Sequence, residues 1–285
     1  MKIFANNNNR EVICTSLDGG VNMTIEEIIK DPKLLVPLCF DDVFKAVFEN
    51  HPEITALFMS KFLQIPYEEV ENNIVILSKG QEDARVKDKH GEKDIVFYVS
   101  LEKPFVINLE ANISPNGIQT LIERNLYYFA NLFDNSLKRS GNYAHLKSSI
   151  QFNFNNFYAN PNSKKLIEEC YLKYSDNTIV SDKFKIVHIN IAEMSNLWYN
   201  GKYKDIEDST LKELVCLGAL MMIKSKKDFH KCLRAINADE GLKGNLEEVM
   251  RNMSDNEELM IRYYDKDKGE KNTNKMYNWN YNICI

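Results

Sequence analysis

The chain has 285 residues, of which 44% are hydrophobic and 27% are charged, and its formal net charge is -5. This length accommodates one large domain or two small ones, and the composition is that of an ordinary soluble globular protein. The acidic balance excludes a generally basic nucleic-acid coat protein, but it leaves room for a local basic groove. The sequence has neither an apolar signal core at its start nor an apolar run of roughly 18 residues, so we expect a cytoplasmic protein without membrane spans.

The N-terminal half is predicted to begin irregularly and then to alternate helices with strands. Residues 1–30 contain an asparagine run and a glycine pair, which are typical of loops. Helical periodicity predicts helices at 41–50 and 51–64, and residues 65–73 are expected to form a short third helical segment or a turn. Asp41 or Asp42 is the expected N-cap of the first helix. Apolar β-type runs predict strands at 73–78, 94–99 and 105–110, with a hairpin turn at Lys89–Gly91 and a helix at 118–132.

The C-terminal half is predicted to contain three more strands and then only helices. The strands are expected at 148–158, 166–174 and 184–191. The helices are expected at 208–225, with Asp208 as the cap, at 227–238 and at 245–265. These patterns divide the chain into an irregular segment (1–30), an α/β domain (31–205), a helical region (206–264) and a tail predicted to be disordered (265–285).

Two of the apolar strands each carry one carboxylate at an end. Asp94 opens DIVFYV and Glu110 closes FVINLE, 16 positions later. Burying such acids is costly without a partner, and a shared Mg²⁺ or Mn²⁺ ion would offset that cost and activate a water. Strand alternation places Asn112 on the face of Glu110, where it could orient the water or bind a phosphate oxygen. The pattern alone favours a simpler interpretation, in which Glu110 is an edge acid before a loop.

Three segments carry a resemblance to a known family: KDIVFYV, INLEAN and LIERNLYYFANLF. Their order, an acid-bearing strand, a strand ending in E-x-N and a helix with R-x-x-x-Y, resembles that of the PD-(D/E)XK nuclease family transposases, also called recombination-promoting nucleases. The resemblance extends loosely over residues 40 to 260. It implies an α/β restriction-endonuclease-like core, in which helices flank a mixed central sheet, together with a helical C-terminal region.

The resemblance also implies the residues of a catalytic site. It assigns catalytic roles to Asp94, Glu110, Asn112, Arg124 and Tyr128. The metal ligands would be the carboxylates of Asp94 and Glu110 and the backbone carbonyl of Ala111, and the metal would be Mg²⁺ or Mn²⁺. A further acid is expected from Asp41, Asp42 or Glu82.

The activity implied by the resemblance is metal-dependent cleavage of DNA, with a role in promoting recombination. DNA would be the partner, and a homodimer is compatible with the sequence. Asn112 stands where the family has Lys or Gln, and an amide supplies no positive charge. An alternative hypothesis follows from that difference: a nuclease-fold protein that binds DNA or regulates a partner without cutting.

Overall fold

The computed structural model describes residues 33–77, 95–113, 118–134, 142–143 and 146–263. At its centre is a mixed sheet of six strands in the order β1-β2-β3-β4-β6-β5, which confirms the predicted α/β class. The strands are β1 (Ile74–Leu77), β2 (Ile95–Val99), β3 (Phe105–Asn112), β4 (Ser148–Asn155), β5 (Ile167–Tyr171) and β6 (Phe184–Asn190). The central strands β3, β4 and β6 are parallel, and the outer pairings are antiparallel.

Helices flank this sheet and follow it in the chain. Within the described ranges they are α1 (Asp41–Asn50), α2 (Pro52–Leu63), α3 (Tyr67–Glu71), α4 (Ile118–Asp134), α5 (Ile191–Tyr199), α6 (Ser209–Leu220), α7 (Lys226–Leu233) and α8 (Glu240–Ser254). A 3-10 turn spans Lys202–Asp205, and residues 257–263 are again helical. Asp208 caps α6 as predicted, because its carboxylate accepts hydrogen bonds from the backbone N–H groups of Thr210 and Leu211.

The two faces of the sheet pack against different helices. Alternate residues of β3, such as Ile107 and Leu109, belong to a large core that also contains residues of α1, α2, α6, α7 and α8. The intervening residues face α4, where Val106 packs with Phe129 and Leu132 in a smaller cluster. Since sheet and C-terminal helices share the large core, the α/β and helical regions pack together; the boundary predicted at residue 205 stays a prediction.

The predicted cap of α1 is wrong. Phe40 occupies the N-cap position in an extended conformation and makes no side-chain capping bond. Asp41 and Asp42 have already entered the first turn, where acids interact favourably with the helix dipole. Their carboxylates form ion pairs instead, Asp41 with Lys45 at 3.1 Å and Asp42 with Arg262 at 3.2 Å.

Two other helices differ from the prediction. Residues 191–199, which lacked a predicted helix, form α5, and its N-cap Asn190 accepts a hydrogen bond from the Glu193 N–H at 2.9 Å. The helix predicted at 245–265 begins earlier, because Asp239 caps α8, and it is interrupted at residues 255–256. Both differences from the prediction have the same physical cause. An Asn or Asp side chain caps the helix by accepting hydrogen bonds from first-turn backbone N–H groups, which have no partner within the helix.

Candidate functional site

Polar side chains take the place of apolar ones on the face of β3 and β4 that packs against α4. Alternate positions of β3 and β4 meet in three register pairs: Asn108 with Gln151, Glu110 with Asn153, and Asn112 with Asn155. None of these six residues is more than 2% exposed. Polar groups are costly to bury and are rarely gathered without a function, so this face is the first candidate for a site.

Glu110 is the one carboxylate among these six residues. It is 1% exposed, and the Nδ2 of Asn108 donates a hydrogen bond to its Oε1 at 2.9 Å. Its Oε2 lies 3.8 Å from the Nη2 of Arg124, which is an ion-pair distance and too long for a hydrogen bond. Glu110 is therefore a buried carboxylate with an amide donor on one oxygen and a cation beside the other.

Arg124 reaches the site from α4. Its Nη2 donates a hydrogen bond to the Oδ1 of Asn112 at 2.8 Å, so one guanidinium contacts Asn112 and faces Glu110. The ring of Tyr128, one helical turn further along α4, lies 5.5 Å from the guanidinium carbon. The Arg124 side chain remains 43% exposed, so its charge is available both to the buried acid and to a ligand at the surface.

A chain of hydrogen bonds runs from Arg124 across three strands. The Nδ2 of Asn112 donates to the Oδ1 of Asn155 at 2.9 Å, and the Nδ2 of Asn155 lies 3.2 Å from the Nδ1 of His188 on β6. A guanidinium can only donate hydrogen bonds. The Oδ1 of Asn112 must therefore accept, its Nδ2 must donate, and Asn155 repeats that orientation.

This series of hydrogen bonds determines which ring nitrogen of His188 carries the proton. Because the Nδ2 of Asn155 donates, the Nδ1 of His188 must accept, and the ring proton then resides on Nε2. Burial lowers the pKa of His188 from 6.5 to about 4, although the nearby carboxylate of Glu168 opposes the shift. His188 is accordingly neutral near pH 7, with an N–H donor at Nε2.

Several buried polar atoms on β3, β4 and α4 make no hydrogen bond to any described residue. They are the Oδ1 atoms of Asn108 and Asn125, the Oε1 of Gln151 and the Nδ2 of Asn153. Asn108 is two residues from Glu110, Asn153 is its register partner, and Asn125 follows Arg124 on α4. Unpaired buried polar atoms are expensive, and their concentration at one place indicates a site adapted to a polar ligand.

The structure brings four of the predicted site residues together and separates others. Glu110, Asn112, Arg124 and Tyr128 form the cluster described above. Ala111 lies between Glu110 and Asn112 on β3, with its side chain packed against the large core. Asp41 and Asp42 lie on α1, which packs against the opposite face of the sheet. Asp94 and Glu82 fall outside the described residues.

Asn155 and His188 were not predicted as members of the site. Asn155 ends an alternating stretch, QFNFN, whose asparagines replace the apolar residues expected on a buried strand face. That replacement was a usable signal for Asn155. No local signal marks His188, because its partner Asn155 is 33 residues away in the sequence.

The donor atoms of the cluster suit a hard cation. The groups around Glu110 are amides and a carboxylate, which are oxygen-bearing groups of the kind that Mg²⁺ and Mn²⁺ prefer, and no thiol is among them. Within the described ranges, however, no three His, Cys, Asp or Glu residues gather as a metal-binding group. The register pairs Ile95 with Leu109, the residues that adjoin Asp94 and Glu110 in the sequence. The described cluster therefore fits as one part of a metal site that needs a second acid.

Comparison with known proteins gives one match. A family model described as PD-(D/E)XK nuclease family transposase matches residues 38–278. No curated protein and no solved structure matches the chain. Among the helices in the described part of the chain, none has the length and apolarity needed to cross a membrane.

Proposed function

The chain belongs to the PD-(D/E)XK nuclease family transposases, and from this membership we propose that it is a metal-dependent DNA endonuclease that promotes recombination. The family supports a nuclease or transposase type of function, with DNA as the substrate.

The proposed metal ligands are the carboxylates of Asp94 and Glu110 and the backbone carbonyl of Ala111. PD-(D/E)XK nucleases generally use divalent metals. If the antiparallel register that pairs Ile95 with Leu109 continued by one residue, Asp94 would be the partner of Glu110. Directly opposite residues have Cβ atoms about 5 Å apart, close enough for two carboxylates to share an ion. When bound, Mg²⁺ or Mn²⁺ would polarise the phosphate and lower the pKa of the attacking water.

The observation that carries the proposal is the position of Arg124. Asn112 occupies the family's Lys or Gln position and cannot supply a positive charge. The guanidinium of Arg124 lies 2.8 Å from Asn112 and 3.8 Å from Glu110, so a permanent cation reaches that place from α4. A charge here would stabilise the extra negative charge of a phosphate under attack.

The remaining roles follow from the contacts. The Oδ1 of Asn112 accepts one hydrogen bond from Arg124, and its second lone pair can hold and orient the attacking water. Tyr128 packs beside the guanidinium and restricts its motion. Asn155 holds the amide of Asn112 from the other side.

Plasmid nicking tests the proposal. Purified protein is incubated with supercoiled DNA and Mg²⁺, Mn²⁺ or EDTA, and open circles are quantified. We expect nicking with either metal, its absence in EDTA, and a fall of at least a hundredfold in Asp94→Asn. Asp88→Asn, the same change in the same segment, serves as the control and should nick normally. Nicking unaffected by Asp94→Asn would rule out this metal site.

A second candidate function is DNA binding without cleavage. The observation in its favour is that both polar groups of Asn112 already bond within the protein, to Arg124 and Asn155. Such a protein would bind duplex DNA with an affinity that falls steeply with salt, but would form no product with any divalent metal. Metal-dependent nicking that is lost in Asp94→Asn excludes it.

A further inference from the structure

The hydrogen bonds that begin at Arg124 end at His188 on β6, which has no role in the steps proposed above. His188 lies two strands from Glu110, or about 10 Å at a strand spacing of about 4.8 Å. Its ring is 9% exposed and bonds to the Asn155 side chain at 3.2 Å, its one hydrogen-bond partner within the described ranges. Any effect of the imidazole on the candidate site therefore passes through Asn155.

The two ends of this series differ in how firmly they are held. The Arg124 side chain is long and 43% exposed, so it has many rotamers and water competes for its guanidinium. His188 has a shorter side chain on a strand that pairs with β4 on one side and with β5 on the other. The imidazole is therefore the fixed end of the series, and the guanidinium is the movable end.

The two amides between these ends must keep the same orientation. Along the series, the Oδ1 of each amide points towards Arg124 and its Nδ2 towards His188. Reversing one amide alone would place two donors or two acceptors face to face. That is costly here, because Asn112 and Asn155 are 2% and 1% exposed and water cannot replace the lost bonds. The amides therefore reverse together or not at all.

The state of the histidine ring decides between these two arrangements. With both amides reversed, the Oδ1 of Asn155 would face the Nδ1 of His188, which could satisfy it only by carrying a proton. At the other end, the Nδ2 of Asn112 would face the guanidinium, which is also a donor, so Arg124 would have to move away. A ring that accepts at Nδ1 thus goes with a bound Arg124, and a ring that donates there goes with a released one.

Release of Arg124 would remove the positive charge from its present place. The bond to Asn112 at 2.8 Å holds the guanidinium 3.8 Å from Glu110. The ring of Tyr128, 5.5 Å from the guanidinium carbon, limits its motion but does not fix its direction. Groups that stabilise a transition state lose much of their effect when displaced by about 1 Å. The orientation of the amides therefore matters for the proposed reaction.

We propose that His188 is a positioning residue of the candidate site. By accepting at Nδ1 it fixes the amides of Asn155 and Asn112. Through them it fixes the place of the Arg124 guanidinium beside Glu110. The proposal rests on the proposed function for the reaction that Arg124 serves, whereas the link between His188 and Arg124 rests on the hydrogen bonds alone.

Three substitutions separate the Nδ1 acceptor from the rest of the ring. His188→Leu removes the acceptor. His188→Gln carries its amide one bond further out, where histidine has Nε2, and so also lacks an acceptor at the Nδ1 position. In His188→Asn the amide oxygen is attached to Cγ, as Nδ1 is in histidine, and it can still accept from Asn155. The first two variants should release Arg124, and the third should hold it.

A double-variant cycle in urea tests the link without DNA or metal. The fall in the unfolding midpoint caused by Arg124→Leu is measured in each background at about pH 8, above the ordinary histidine pKa of 6.5. We expect a fall in His188→Leu that is at most about half of that in the wild type, because the bond to Asn112 is already lost. His188→Asn should restore the full fall.

The matched control background is His230→Leu. His230 is a histidine on α7 that pairs with Glu247 and belongs to no part of the series. The fall caused by Arg124→Leu should be the same in this background as in the wild type. If His188→Leu does not unfold cooperatively, His188→Gln takes its place in the cycle.

Plasmid nicking in Mg²⁺ measures the same link in the reaction. Arg124→Leu should slow nicking by about a hundredfold in the wild-type background, as expected for one lost charge-stabilising donor. In His188→Leu it should slow nicking by about threefold or less, and in His188→Asn by as much as in the wild type. A loss of folded protein alone would not change these ratios, because each compares two proteins that share one background.

The outcomes separate this proposal from the proposed function. Equal falls in the urea midpoint in all backgrounds would overturn the link, and so would a His188→Asn background that behaves like His188→Leu. Smaller effects of Arg124→Leu only in the backgrounds without an Nδ1 acceptor support it. Coupled midpoints without any nicking would refute cleavage and leave the link standing. Nicking that depends equally on Arg124 in every background would refute the positioning role and leave the proposed function intact.

Discussion

Arg124 of α4 donates a hydrogen bond to Asn112 of β3 at 2.8 Å. This contact couples a helix to a sheet and brings a positive charge to a strand that carries none of its own. It also sets the direction of every later hydrogen bond in the chain that ends at His188. Charge, amide orientation and histidine tautomer at the site therefore all depend on one guanidinium.

Glu110→Gln should abolish metal-dependent nicking while leaving the protein folded. The substitution removes the negative charge that would hold the metal, but the glutamine oxygen can still accept from Asn108, which now bonds at 2.9 Å. We expect nicking to fall by at least a hundredfold and the thermal midpoint to change by less than about 4 °C.

The control for this experiment is Glu123→Gln. Glu123 is exposed on α4 next to Arg124, and its carboxylate accepts a hydrogen bond only from Gln119 among the described side chains. Its variant should nick at the wild-type rate. Equal losses of nicking in both variants would show that negative charge near α4 in general, and not the buried carboxylate of Glu110, supports the reaction.

Asn112→Lys, which introduces the residue type that the resemblance places at this position in the family, should destabilise this chain. The new ammonium would replace the acceptor of Arg124 and bring two positive charges together at a site that is 2% exposed. We expect a loss of about 2 kcal/mol in the free energy of unfolding, a thermal midpoint lower by about 4 °C or more, and no gain in nicking.

A double variant isolates the cause of that loss. Arg124→Leu combined with Asn112→Lys removes the repulsion between the two positive charges. The double variant should therefore lose less free energy of unfolding than the sum of the losses in the two single variants. Asn112→Gln keeps the amide and should have the smaller effect on stability. An Asn112→Lys protein that is as stable as the wild type and nicks faster would contradict the assigned role of Arg124.

His188 should make the stability of the fold depend on pH. Its pKa is lowered from 6.5 to about 4 by burial, so between these values the unfolded chain binds a proton that the folded protein does not. The free energy of unfolding therefore rises with pH in this window, and stability is lost as the pH falls from 6.5 towards 4. At about 1.36 kcal/mol per pKa unit the loss is about 3 kcal/mol.

Urea unfolding across that pH window measures the effect. His188→Gln should flatten the pH dependence relative to the wild type, because His188 is the one group that differs between the two proteins. His230→Gln is the matched control: His230 pairs with Glu247 at 3.0 Å and is 42% exposed. Identical pH slopes in wild type and His188→Gln would contradict the buried neutral histidine.

Removal of residues 266–285 should leave the fold and any metal binding intact. From Asp265 onward the sequence alternates polar residues with isolated aromatics and contains no apolar stripe, so it can bury little surface. The family match, however, extends to residue 278. A fall in the thermal midpoint of more than ~4 °C on truncation would show that Trp279 or Tyr281 docks onto the body.

Local periodicity in the sequence was sufficient for much of the site. The alternation of β3 predicted that Glu110 and Asn112 share a face, and a spacing of four residues predicted that Arg124 and Tyr128 share one face of α4; the structure has both arrangements. The family and the α/β fold were also predicted from these segments and are confirmed. Asp94 as a metal ligand and the homodimer stay predictions.

What the tertiary structure decided is how distant segments meet. Asn112 bonds to Asn155, which is 43 residues away, because β3 and β4 pair in parallel in one particular register. A shift of one residue would turn every polar side chain of β4 into the large core. The position of α4 over these strands then brings the guanidinium of Arg124 to Asn112. Local periodicity specifies the face of each residue, whereas register and helix placement, which depend on packing of the whole core, specify which partner that face meets.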